Sequence, residues 1–192
     1  MRFIQKQNST PTAFIELVTG VAGYNALYRN QSITLKTATI EHLICQSHNP
    51  SFDLNYFNQF AVCRGNDGQI LLSHCDKYRA NGSNNDYFVP YLLFNTCLST
   101  TWNSINPFFD VEYNPRTELY SGNQQRVKDT IQVLNLNAEI LINARKEKWE
   151  SVKQTREKLG LNWQDLFAHY LTMNLLTDFS EFVLLAIRKQ VP

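Results

Sequence analysis

From Ser32 to Leu43 the chain reads SITLKTATIEHL: Ile33, Leu35, Thr37 and Thr39 alternate with polar neighbours, and β-branched residues dominate. That pattern predicts a strand ending at Glu41-His42. Upstream, Pro11 can open a helix, and Phe14, Leu17, Val18 and Val21 recur at helical spacing, so residues 1–28 read as an extended start followed by a scaffold helix. Residues 45–58 show no period and read as a loop packed down by Phe52, Leu54 and Tyr56. The apolar step Phe60-Ala61-Val62-Cys63 suits a second strand. RGNDG then marks a turn, Ile70-Leu71-Leu72 follows, and the segment from His74 to Asn81 can form a short helix.

Further along, Phe109, Val111 and Tyr113 alternate ahead of Asn114-Pro115, and Leu119-Tyr120 resumes the apolar pattern, which predicts a hairpin. After Gly122 the period becomes helical, with Val127, Ile131, Leu134, Ala138, Leu141, Trp149 and Val152 at the expected intervals. Asn135 or Asn137 is expected to cap a restart after a break, and Gly160 to stop the helix. Asn162 is placed to cap a third segment carrying Leu166, Phe167, Tyr170, Leu171 and Leu175, and Ser180 a fourth. Such stripes build a core or a docking surface for a partner.

Composition narrows the classes. With 192 residues, 43% apolar and 18% charged, the chain can bury a core, and its seven glycines and six prolines show no repeat. It contains no apolar run of about 18 residues, and MRFIQKQNST lacks the apolar centre of a secretory signal. A cytoplasmic protein with no membrane partner is expected. Eighteen basic against seventeen acidic residues give a charge of +1, so no global field steers polyanions toward it. Arg145, Lys146, Lys148, Lys153, Arg156 and Lys158 form a basic stretch, but Glu147, Glu150 and Glu157 interrupt it, as on a solvated helix with internal ion pairs.

The residues suited to chemistry lie between Ala38 and Asn81. Glu41 stands beside His42 at a strand end, where alternation can relax and let both face one cleft. Glu41 would then hold a hard cation while His42 acts as a base, the two functions that phosphodiester hydrolysis requires. Four cysteines, Cys45, Cys63, Cys75 and Cys97, are scattered without a CxxC pair, and in a reducing compartment they read as buried thiols. His48 and His169 read as surface or packing residues, and Asp53 as a turn carboxylate.

The segments MRFIQKQNSTP, IEHLICQS, NQFAVC, HCDKYRAN and LNLNAEILINAR, in that order, cover positions 1 to about 145. In them the chain resembles the HNH endonucleases, and more narrowly the retron- and Septu-associated bacterial HNH proteins, also called PtuB-like. The resemblance implies an α+β fold: an HNH ββα-metal core with an added β-hairpin and a helical C-terminal region. It divides the chain into an N-terminal helical scaffold (1–30), a nuclease core with its hairpin (31–121) and a helical region for partner docking (122–192).

The same resemblance implies roles. His42 corresponds to the general base, Asn58 to the asparagine that pins the loop and orients that base, and Glu41 and Asp76 to the metal ligands. Arg79 stands where the family has lysine and is assigned to phosphate, with Asn81 and His74 at the nucleic-acid rim. The implied cofactor is a divalent metal, Mg2+ or Mn2+. The implied setting is an anti-phage defence system in which the endonuclease cuts DNA, or RNA, alongside an ABC-type ATPase, with homo-oligomer or hetero-complex left open.

Three departures stand out. Ala80 replaces a glycine and Cys45 a proline, and AGYNALYRN replaces the C-x-Y-C pair that in the family joins Cys63 and Cys75 around zinc. Two ligands are too few for a closed tetrahedral site, so structural zinc is not expected. The lost pair and Ala80 motivate one alternative, a catalytically silent HNH-fold subunit that binds nucleic acid or a partner; a separate one is a zinc-binding regulator using Cys63, His74 and Cys75.

Overall fold

A computed structural model describes residues 38–55, 58–65, 73–82, 88, 111–172 and 179–191. The helix expected within 1–28, the beginning of the first strand and the Ile70-Leu71-Leu72 step lie outside the described residues. Where described, the chain combines small antiparallel sheets with helices, an α+β arrangement.

Strands β1 (Ala38–His42) and β2 (Gln59–Cys63) pair antiparallel, with Ile40 opposite Ala61 and His42 opposite Gln59. Helix α1 (Cys75–Asn81) follows and packs on β2. The connection between the strands is ordered by a 3-10 turn at Pro50–Phe52. Asn49 caps that turn, its Oδ1 accepting from Ser51 N at 3.3 Å and from Ser51 Oγ at 2.6 Å.

A second hairpin, β3 (Val111–Asn114) with β4 (Leu119–Gly122), turns through an Asx arrangement. Asn114 Oδ1 accepts from Arg116 N at 2.9 Å and Thr117 N at 3.3 Å. Alternation along both strands buries Val111, Tyr113, Tyr120 and Gly122 on one face. This face meets helix α2 (Gln125–Val133) and the last helix, α5 (Ser180–Arg188). Tyr113 and Phe182 meet edge to face, with ring centroids 4.9 Å apart. Residues Phe182 to Ile187 of α5 are buried without interruption and belong to the core.

Helices α3 (Glu139–Leu159) and α4 (Trp163–Thr172) complete the described helical part. Gly160, at φ 64°, stops α3 as expected, with Leu161 N donating to Arg156 O at 3.1 Å. Asn162 caps α4 reciprocally with Asp165: its Oδ1 accepts from Asp165 N at 2.8 Å and its Nδ2 donates to Asp165 Oδ2 at 2.7 Å.

Three local expectations are corrected. Neither Asn135 nor Asn137 caps α3, whose N-cap is Ala138. Asn137 instead pairs with the backbone of β4, bonding Tyr120 N and Tyr120 O at 2.9 Å each, because an edge strand leaves such groups needing partners. Ser180 is the first residue of α5, and Phe179 holds the cap position because its ring packs against Phe182. Arg145 is not solvated: it is 2% exposed. Its Nη1 donates to Leu136 O at 2.9 Å and its Nη2 to Glu118 O at 3.3 Å, while the guanidinium lies 4.2 Å from the Tyr120 ring centroid. Burial pushes the Arg145 guanidinium below its ordinary pKa, opposed by Tyr120 and Tyr113. Of the remaining α3 charges, Lys153 pairs with Glu150 one turn away as expected, whereas Lys146 reaches Glu118 in the hairpin turn at 2.9 Å and the Arg156 guanidinium lies 4.4 Å from the Trp163 ring centroid. Among the described residues no helix is long and apolar enough to cross a membrane.

Gly122 has no room for a side chain, since a methyl there would overlap the fully buried Val127. Gly122→Ala should therefore cost about 1–3 kcal/mol in urea unfolding. Adding Val127→Gly removes both the Cγ1 and the Cβ that the new methyl would strike, so the double variant should be more stable than the sum of the single losses predicts.

Candidate functional site

The site residues gather around the end of β1. Successive strand side chains diverge, and the alternation does not relax here: Glu41 and His42 find different partners. The Glu41 carboxylate, 5% exposed, forms a buried ion pair with Arg79 Nη1 from α1. Arg79 also donates to the His42 carbonyl, from Nη1 at 3.4 Å and Nη2 at 3.3 Å. One guanidinium thus fastens the helix to both the side chain and the backbone of the strand end. At 2% exposure, Arg79 is not placed to receive a phosphate, because burial and the carboxylate already occupy its charge. For the same reason the Glu41 carboxylate faces an arginine instead of an open cation site.

His42 is half-buried, and its Nε2 lies 3.0 Å from the Asp53 carbonyl. A carbonyl oxygen only accepts, so in the neutral ring the proton sits on Nε2 and the lone pair on Nδ1. The same carbonyl accepts from Gln59 Nε2 at 2.6 Å, which holds it in place. Asn58, 5% exposed, ties the loop together. Its Oδ1 accepts from Ile44 N at 2.8 Å, and its Nδ2 donates to Ile44 O at 3.0 Å and Phe52 O at 3.3 Å. Asn58 therefore acts on the loop, and the group that touches the imidazole is the Asp53 backbone. Asp53, read from the sequence as a turn carboxylate, acts here through its backbone carbonyl, which leaves no mark in residue type, and Gln59 supports it through its side-chain amide. The side chains of Asp76 and Asn81 lie outside the described residues, so the expected meeting of positions 41, 42 and 76 is not described.

A second cluster forms where β2 ends and α1 begins. Cys63, His74 and Cys75 are all buried, at 6%, 1% and 0% exposure. The two Sγ atoms are 3.4 Å apart, and His74 Nδ1 lies 3.3 Å from Cys75 Sγ and 3.8 Å from Cys63 Sγ. These three residues could hold a metal ion. Structural zinc is not expected from two cysteines alone; the fold sets His74, the third residue of the zinc-regulator alternative, beside them. His74, assigned from sequence to the nucleic-acid rim, is instead an interior residue and cannot reach a bound polymer. The C-x10-H-C spacing was the available signal, but only the fold shows that its three members converge.

Cys75 adopts φ 55°, a left-handed conformation that costs a non-glycine residue about 1–2 kcal/mol. Its N–H donates to Leu134 O at 2.7 Å, and Asn135 Nδ2 donates to Ser73 O at 3.0 Å, so the helical part holds the turn. On the other side, His74 N donates to Gly65 O at 3.1 Å, and Gly65, at φ 61°, presses so close to the His74 carbonyl that a Cβ would overlap it.

The chain matches no family model, no curated protein and no solved structure.

Two stability outcomes follow. Asn58→Ala removes three hydrogen bonds and should cost about 2–3 kcal/mol, read by thermal or urea unfolding. Asn58→Asp should cost more, because a carboxylate would then face the Ile44 and Phe52 carbonyls. Separately, Glu41→Gln or Arg79→Met should each cost about 3–5 kcal/mol by leaving one buried charge without its partner. The double variant should be less damaging than the two losses added together.

Proposed function

We propose that this chain hydrolyses phosphodiester bonds in nucleic acid, with His42 as the general base that deprotonates the attacking water. The hydrogen bond from His42 Nε2 to the Asp53 carbonyl carries the reading. It keeps the ring proton on the side away from Nδ1 and leaves Nδ1 as the basic atom. As Nδ1 takes the proton, the ring keeps its Nε2–H bond to the Asp53 carbonyl and so its orientation. Asn58 and Gln59 hold that carbonyl's loop in position, so the base is oriented before substrate arrives. The order of two antiparallel strands and a short helix, with the base at the end of the first strand, also supports the reading.

A divalent ion such as Mg2+ or Mn2+ would supply charge neutralisation at the phosphate. Glu41 does not fit as its ligand, because its carboxylate is buried against Arg79. No step is therefore assigned to the ion. DNA is the first substrate to test and RNA the second, with an ABC-type ATPase of a defence system as the proposed partner. The pairing of Glu41 with Arg79 also favours a second reading, a nucleic-acid-binding subunit without turnover.

Cleavage of DNA and RNA should be measured with magnesium or manganese, alone and with the ATPase, for wild type and His42→Ala. Loss of a general base should lower the rate by about 10²–10⁴-fold while leaving the fold intact by circular dichroism. Equal cleavage by the two proteins would remove His42 from the chemistry. Binding without cleavage in every condition would establish the second reading.

A further inference from the structure

We propose that Cys63 and Cys75 form a reversible dithiol–disulfide pair, a peroxide-sensitive link between the end of β2 and the start of α1. Their Sγ atoms lie 3.4 Å apart in the reduced protein, 12 positions apart in the chain. A disulfide bond is about 2.05 Å long, so small rotations of the two side chains are enough to close the gap. Cys45, by contrast, is engaged within its own loop, its Sγ 3.0 Å from Ser47 Oγ. Cys97 lies outside the described residues.

The backbone holds the two thiols together. Cys75 sits at φ 55°, a left-handed conformation that a non-glycine residue keeps only where its surroundings impose it. Hydrogen bonds from Cys75 N to Leu134 O and from His74 N to Gly65 O clamp the turn from both sides. The second clamp depends on Gly65, whose left-handed φ of 61° and close approach to the His74 carbonyl leave no space for a Cβ. The proximity of the two sulfurs is thus built by two independent backbone contacts, and a pair held in that way reacts with itself before it reacts with a distant thiol.

Cys63 is 6% exposed and Cys75 fully buried, so Cys63 is the sulfur that a small oxidant meets first. It attacks one oxygen of a hydroperoxide such as hydrogen peroxide; the O–O bond breaks, an S–OH group forms, and the thiol proton leaves with the other oxygen as water. The Cys75 sulfur then attacks the Cys63 sulfur, the S–O bond breaks, and the hydroxyl departs with the Cys75 proton as a second water. Two electrons pass from the two thiols to one peroxide, and a dithiol reductant returns them. The cross-link closes a short loop and restrains α1, the helix whose Arg79 holds Glu41 and the His42 carbonyl. This link does not depend on the proposed hydrolysis, and each can fail without the other.

The test exposes the full chain, reduced and treated with a chelator, to stoichiometric hydrogen peroxide, blocks the remaining thiols by alkylation and maps the cross-links by peptide mass spectrometry. In the folded protein the Cys63–Cys75 link should exceed any other pairing by about tenfold or more, and dithiothreitol should reverse it. In urea the same treatment should spread the pairing over all four cysteines. Cys45→Ser should leave the link intact, and Cys63→Ser or Cys75→Ser should abolish it. Should the last two variants fail to fold, wild type alone decides: its oxidised form should need more urea to unfold than its reduced form. Folded wild type that keeps both thiols while Cys45 is oxidised would overturn the proposal. So would pairing no more selective than in urea, an oxidised form no more resistant to urea, or a metal ion that survives chelation and shields the thiols.

Discussion

Two charges buried together, Glu41 on the first strand and Arg79 on the helix that follows the second, must stay paired, because either alone would leave an uncompensated charge in the interior. The pair fixes how α1 sits against β1, and through the His42 carbonyl it also holds the backbone from which the imidazole projects. With Glu41 directed to the helix, His42 takes its orientation from the other side, from the Asp53 carbonyl in the inter-strand loop. That loop is organised by Asn58. A strand end, a helix and a loop are thus each tied down by one polar side chain.

The helical part is built on a different principle. Its centre is α5, buried along Phe182 to Ile187 and faced by the aromatic side of the second hairpin. Arg145 crosses this interior as a polar strut, its guanidinium shared among backbone carbonyls and the face of Tyr120. A planar group with five donors and a weakly hydrated charge suits that task, which a lysine ammonium would meet poorly. Burial also raises the pKa of Tyr113, with Arg145 pulling the other way, so the aromatic side of the hairpin and the strut share one electrostatic environment.

The two parts meet where α2 ends. There the Leu134 carbonyl and the Asn135 amide hold the segment from Ser73 to Cys75 in the turn that gathers the cysteines and His74. The break between α2 and α3 is therefore more than a helix interruption: Asn135 turns toward the first part and Asn137 toward the second hairpin. Neither is left to cap a helix, which is why capping preference misassigned both.

Local stereochemistry by itself determined much of this protein. Alternation drew β1 and the second hairpin, a short apolar step drew β2, helical spacing drew α2 to α4, and Gly160 and Asn162 ended and began helices where left-handed freedom and side-chain capping are needed. Glu41-His42 also stood out in the sequence as a place suited to chemistry. Only tertiary structure decided that Glu41 belongs to Arg79, 38 residues away in the chain, that Arg145 turns inward, and that Cys63 meets His74 and Cys75. Periodicity reports which way a side chain points within its own element. It carries no information about which distant charge or donor the packing brings opposite, and in a dry interior that partner sets what an ionisable group can do.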